Sequence, residues 1–187
     1  MEGFIEIFTN VWEQGFFGIG ITEIIVSMLI FIAGAISRAF FVGRVIKWLE
    51  NLTANTTSEI DDVLLESLKK PLGYIPMTVA LYFITVYLPL TGVANIFATN
   101  LVKAMIAFTI FSALANSIAP IFQAFTSSSV LTRSMTMWLE RAARIIIWIV
   151  GLGIILDIFG IQIGPLVAGL GLFSVAVALG AQDLFKN

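Results

Sequence analysis

The sequence predicts an all-α integral membrane protein with five transmembrane helices per subunit, and three observations carry that reading. Of its 187 residues, 59% are hydrophobic and only 12% are charged, against about 25% charged in an ordinary soluble domain. The mean hydropathy is +1.01, a value at which a chain folding alone in water would present large apolar patches. Long uncharged stretches recur along the chain, several of them near the roughly 20 residues that cross a hydrocarbon core of about 30 Å.

Each span is located by the charges that flank it. The first is read from Gly18 to Phe41, around the uncharged run Ile24 to Ser37. Between Lys70 and Lys103 lie 32 uncharged residues broken by Pro89-Leu90-Thr91-Gly92. That stretch divides into a second span, Leu72 to Leu88, a turn near Thr91 to Thr99, and a third span, Asn100 to Phe122. The fourth is read from Ile145 to Phe159, and it gains length if its helix starts near Ser134. The fifth, Pro165 to Ala181, lies in a 25-residue uncharged gap between Asp157 and Asp183. The predicted organisation is an outer N-terminal segment (1–17), a four-helix membrane region (18–164) with an inner connecting helix, and a last helix with the start of its continuation (165–187).

Lysine and arginine positions orient the bundle, because cytoplasmic loops are enriched in them. Arg38, Arg44, Lys47, Lys69, Lys70, Arg133, Arg141, Arg144 and Lys186 fall on one side, and Lys103 alone on the other. The N-terminus is therefore expected outside and the C-terminus in the cytoplasm. Trp12 suits the outer interface, and Trp48 and Trp138 the inner one, whereas Trp148 is expected to face lipid or a neighbouring helix. The start of the chain has neither a basic region nor a small-residue cleavage site, so no signal peptide is expected.

The inventory excludes much chemistry. With no Cys and no His, thiol nucleophiles, disulfides, haem ligation and the usual zinc sites are absent, as is the Ser-His-Asp arrangement. A net charge of −2 gives no strong field for nucleic acid. No catalytic residue, cofactor or metal site is expected. Asp61-Asp62 does not rescue an acid–base role, because adjacent helical side chains diverge by about 100°. The acceptor patterns at Asn51 and Asn55 lie on the predicted inner side, where glycosylation does not occur.

Ser58-Glu59-Ile60-Asp61 resembles a capping box, so a helix is predicted from Glu59 to Lys70, stopping before Pro71. Its apolar face, Ile60, Leu64 and Leu68 beside Val63, suits either a strut lying in the inner membrane surface or a connector packed on the bundle. Thr126 to Ser129 reads as an inner loop.

The last helix differs in kind. Nine of the 18 residues from Gly164 to Ala181 are Gly, Ala or Ser. Small side chains let membrane helices approach closely, and each glycine costs a helix about 1 kcal/mol relative to alanine, so their use implies packing. Val175 and Leu179 share one face, with Leu172 and Gln182 roughly continuing it. Ala168, Gly171, Ser174 and Ala178 lie on an adjoining face. Copies packed around an axis would leave Val175 and Leu179 lining a water-repelling constriction. The pattern equally suits a helix buried inside a monomeric bundle.

The stretch from Leu170 to Asn187, LGLFSVAVALGAQDLFKN, resembles the pore helix of MscS-like small-conductance mechanosensitive channels, including Ala181-Gln182-Asp183 and Lys186-Asn187. Asp61 to Glu66 and Lys70-Pro71-Leu72 are more loosely similar to the segment many members carry before their inner spans. The resemblance implies a homo-heptamer in the inner membrane, its last, Gly/Ala-rich helix lining the pore, opened by tension to release ions and small solutes on osmotic downshock. It implies Val175 and Leu179 as the constriction, and Ala168, Gly171, Ala176 and Ala178 as packing positions. Gly180, Gln182 and Asp183 fall where the family's helix bends. Arg141 and Arg144 suit either lipid head-group contacts or ordinary orientation signals. The resemblance covers the transmembrane part only; the family's cytoplasmic vestibule would begin after Asn187. The rival readings are a small transporter subunit, which predicts ionisable residues at a midplane site, and a structural membrane scaffold.

Overall fold

The computed structural model describes residues 19–53, 59–127 and 133–186, and these form six α-helices. They are α1 (Ile21–Thr53), α2 (Glu59–Leu72), α3 (Ile75–Tyr87), α4 (Gly92–Ser127), α5 (Arg133–Ile158) and α6 (Gly164–Lys186). No strand ladder forms among the described residues. The first five helices pack into one bundle: α4 lies against α2, α3 and α5, while α1 lies against α2 and α3.

Several boundaries differ from the sequence reading. Helix α1 continues past Phe41 to Thr53, because Arg44, Lys47 and Glu50 mark where an apolar span ends without ending a helix. The expected turn at Thr91 to Thr99 is helical: α4 begins at Gly92 and runs 36 residues to Ser127. No charge separates Gly92 from Asn100, and the turn is confined to Leu88–Thr91. Helix α2 passes through Pro71 to Leu72, and α3 is correspondingly short at 13 residues. At 1.5 Å per residue α3 measures about 20 Å, less than the hydrocarbon core. Helix α5 does begin near Ser134, so the fourth apolar run has its longer form. Ser58 of the capping box and Ser128-Ser129 of the expected loop lie outside the described residues, whereas Thr126 and Ser127 are helical.

Close approaches hold the bundle together. A Cβ added to Gly34 of α1 would lie 2.5 Å from the Cβ of Ala80 and 3.2 Å from the Pro76 carbonyl oxygen of α3. One added to Gly151 of α5 would lie 2.7 Å from Cγ of Phe111 on α4. Helix α4 meets its neighbours through Ala104, Ala107, Ser112 and Ala115, all buried. Backbones approach closely where side chains are small, the main source of helix association in lipid. Helix α2 packs on α4 through buried Leu65 and half-buried Leu64 and Leu68, with Val63 exposed. Its apolar face is thus a connector face, rotated toward Leu65 from the one expected.

Polar side chains inside the apolar helices return to their own backbones. Thr78 donates to the carbonyl of Tyr74 at 2.9 Å, Thr85 to Leu81 at 2.9 Å, Thr109 to Met105 at 2.7 Å and Ser117 to Ala113 at 2.8 Å. Asn116 Nδ2 donates to the Ser112 carbonyl at 2.7 Å. Such internal bonds satisfy groups that have no water to turn to.

A row of π contacts crosses the bundle. The Arg38 guanidinium of α1 lies over the Tyr74 ring at 5.8 Å, and Tyr74 meets Phe108 of α4 edge-on at 5.2 Å. Phe108 in turn contacts Trp148 of α5 at 5.6 Å. Trp148 therefore faces a neighbouring helix, one of its two expected positions.

Two helices, Ile21–Asn51 and Gly92–Phe122, are long and apolar enough to cross a bilayer by themselves. Their most apolar 18-residue stretches are only 6% and 17% buried. A core helix of a soluble protein would be covered instead; here Met28, Ile36, Phe40, Ile96 and Phe97 point outward.

Candidate functional site

The last helix is joined to the bundle by a well-made turn. Helix α5 stops where Gly160 takes φ +80°, a left-handed conformation that side chains other than glycine's rarely accept. The Ile161 N–H donates to the Leu156 carbonyl at 3.0 Å and the Gly160 N–H to the Asp157 carbonyl at 2.8 Å. These are the paired bonds of a Schellman cap, which satisfy carbonyls left over at a helix end. Phe159 in the turn lies against Phe97 of α4 at 5.8 Å. The chain then extends through Ile161–Ile163, and a Cβ on Gly153 of α5 would meet Ile163 Cδ1 at 3.0 Å. The sequence reading missed this cap, although a glycine just past the last apolar residues of a helix is its usual signal.

Helix α6 starts with Gly164-Pro165, a proline position at which no helical hydrogen bond is lost. The Val167 N–H donates to the Ile163 carbonyl at 2.9 Å to open the ladder. The helix holds 23 residues, roughly 34 Å at 1.5 Å per residue. It is unbroken in secondary structure from Gly164 to Lys186, through Gly180, Gln182 and Asp183.

Among the described residues, no other helix packs extensively along it. Space is open where a Cβ would stand on Gly164, Gly169 or Gly171. Val175 is 57% and Leu179 62% exposed, and Leu172 and Phe173 more so. Ala168, Gly171, Ala176 and Gln182 are exposed too, and the side chains of Ala178, Gly180 and Asp183 lie outside the described set. The structure brings Val175 and Leu179 onto one face by their four-residue spacing and brings none of the described packing positions against the rest of the chain. The described side chains of α6 are thus not buried within the bundle.

The two arginines differ in setting. Arg144 Nη2 donates to Glu140 Oε1 at 2.8 Å, with its side chain 43% exposed. Arg141 is exposed beside Ser134, Met137 and Trp138. Among the described residues no group of acidic side chains is placed to hold a metal ion.

Outward-facing apolar helices, and hydroxyls that mostly bond back to their own helices (buried Ser27 Oγ, which has no partner among the described residues, is an exception), have the character of a helical membrane protein. Residues 141–182 match the model for "Mechanosensitive ion channel, transmembrane helices 2/3", a segment that takes in most of α5, the Gly160 turn and most of α6. The chain is 25% identical over 174 residues to an uncharacterized MscS family protein of Aquifex aeolicus, covering 91% of this chain and 47% of that one. It is 28% identical over 138 residues to the large-conductance mechanosensitive channel MscMJLR of Methanocaldococcus jannaschii, covering 69% and 38%. The chain thus spans less than half the length of either relative. No solved structure matches it significantly. By these matches the chain is similar to MscS-like mechanosensitive channels, and a resemblance to membrane channels together with its outward-facing apolar helices supports a membrane location.

Proposed function

We propose that the chain is the membrane part of a tension-gated channel subunit, in which copies of α6 surround a pore closed at Val175 and Leu179. The observation that carries this reading is the isolation of α6. Among the described residues, Ala168, Gly171 and Ala176 of its small-residue face and Val175 and Leu179 of its bulkier stripe are exposed, and no other helix packs extensively on it. Symmetric packing of copies supplies neighbours for the small face and leaves the Val175/Leu179 stripe on the axis, where a narrow apolar ring excludes water. Seven copies is the number the family resemblance suggests.

In this reading α1, α3, α4, α5 and α6 are the five spans, the N-terminus is outside and the C-terminus cytoplasmic in the inner membrane. The short α3 is completed by the flanking residues of the Lys70–Lys103 gap. Tension favours the conformer of larger in-plane area. The bundle α1–α5 moves with the lipid and pulls α6 outward through the Gly160 turn, so that the ring widens, wets and passes ions and small solutes after osmotic downshock. A transporter reading fares worse, because Thr78, Thr85, Thr109 and Ser117 hydrogen-bond back to their own helices and Asp157 sits at the end of α5, which leaves Lys103, well inside α4, as the ionisable side chain such a reading would have to use.

The test is a tension ramp on patches of liposomes carrying the chain and its Leu179→Ser variant. Discrete conductance steps above a threshold are expected, with the threshold lowered in Leu179→Ser because a hydroxyl ring holds water. An unchanged threshold would remove Leu179 from the gate. A change in stability with no conductance in either protein would make α6 a packing element only.

A further inference from the structure

Between α2, α4 and α5 lies a cleft of about 590 Å³ whose lining includes Lys69, Lys70, Arg144, Glu66, Asn116 and Pro120. Lys69 and Lys70 also line an adjoining cleft of about 340 Å³ with Arg38 of α1. The fold thus gathers cations from positions 38, 69, 70 and 144 onto one side of the bundle, against the repulsion between them. Two of them are partly neutralised: Lys69 pairs with Glu66, and Arg144 with Glu140. Lys70 makes no ion pair among the described residues. The lining of the larger cleft carries three cations against one carboxylate.

We propose that this cleft is a binding site for a phosphate ester, held by Lys70 and Arg144 with Lys69 contributing once it leaves Glu66. A phosphate group fits the donors better than a carboxylate does. Its anionic oxygens, two in a diester and three in a monoester, are set tetrahedrally around phosphorus and can accept at once from an arginine fork on one helix and lysine ammonium groups on another. Carboxylates already occupy Lys69 and Arg144 singly, so the incoming group must accept from more than one of them at once. Position points to the source. From Lys70 the chain is uncharged as far as Lys103, and from Arg144 as far as Asp157. The cleft therefore sits where the apolar runs begin, at the depth of a lipid head group. A phospholipid phosphate and a soluble phosphate share the recognising chemistry, and the site stands whether or not α6 forms a pore.

The test is titration calorimetry on the detergent-solubilised full chain with two probes, dihexanoyl phosphatidylglycerol and inorganic pyrophosphate. Saturable binding of either is expected, weakened about tenfold or more by Lys70→Gln combined with Arg144→Gln, for the loss of charge-assisted bonds. Lys103→Gln, far along α4, should leave it unchanged. Glu66→Gln, which frees Lys69, should tighten binding severalfold, a gain that misfolding cannot mimic. Binding of the lipid alone assigns the site to head groups, and of pyrophosphate alone to soluble phosphates; binding of both assigns it to the phosphate group itself. No binding of either, or binding indifferent to all these substitutions, overturns the proposal.

Discussion

Gly34 and Gly151 of the bundle and Gly169 and Gly171 of the last helix are the same residue in opposite surroundings. At Gly34 and Gly151 a single added carbon would collide with a neighbouring helix, whereas at Gly169 and Gly171 it would meet nothing. In the first case the chain spends helix propensity on a contact it makes itself. In the second, under the proposed assembly, the contact is made by another copy. A small-residue pattern therefore identifies a packing surface without saying whose surface meets it, and only the fold distinguishes the two.

The largest expected effect is at the α1–α3 crossing. Gly34→Val sets its new carbons against Ala80 and the Pro76 carbonyl, which is backbone and cannot turn aside. A loss of about 3 kcal/mol is expected, at the upper end of overpacking costs. Gly151→Ala is expected to cost less, about 1–2 kcal/mol, because it adds a single carbon and the atoms it meets, Cβ, Cγ and Cδ1 of Phe111, belong to a side chain rather than to backbone. Denaturant titration of the solubilised chain measures both. Equal losses would mean that the two crossings are equally rigid, and the distinction between backbone and side-chain contacts would fail.

Gly171→Val asks the same question of α6. Its effect on the unfolding of the bundle should stay within about 0.5 kcal/mol, as at other open positions. Cross-linking between copies should fall sharply, because the branched side chain holds neighbouring helices apart. If Gly171→Val instead unfolds the chain as Gly34→Val does, α6 packs within its own subunit and the comparison collapses.

These contrasts explain what was legible in the sequence. The existence of all six helices could be read, since apolar composition and charge placement mark each one, and the family resemblance lay in the residues of α6. The ends were harder. Charges locate the edge of an apolar span, but α1 continues through Arg44 and Lys47 because helix hydrogen bonds are indifferent to what the side chains meet. Pro71 reads as a stop, yet it is fully buried inside α2, where packing outweighs the lost N–H. The packing surface of α4 was not read because its alanines are spread along the whole helix, and only the fold shows that Ala104, Ala107 and Ala115 take the buried face. The clustering of Lys69, Lys70 and Arg144 could not be read at all, since it depends on which face α2 turns toward α5.

The smallest expected effect concerns how the bundle holds together as one body. Arg38, Tyr74, Phe108 and Trp148 form a row through α1, the α2–α3 junction, α4 and α5, with successive separations of 5.8, 5.2 and 5.6 Å. If force enters at the lipid-facing α1 and must reach α5 before α6 can move, contacts that tie all these helices at one level are where it crosses. Tyr74→Leu and Phe108→Leu keep the apolar volume roughly while removing the edge-to-face pair, so a double-mutant cycle isolates the contact. A coupling of about 1 kcal/mol in stability is expected, the usual worth of such a pair. The same four proteins on a tension ramp sharpen the contrast between bundle and pore helix. Loosening the row should raise the threshold, since the bundle then yields internally before it pulls on α6. Thresholds that stay fixed while stability changes would show that force reaches the last helix by the Phe97–Phe159 contact at the turn, without crossing the row.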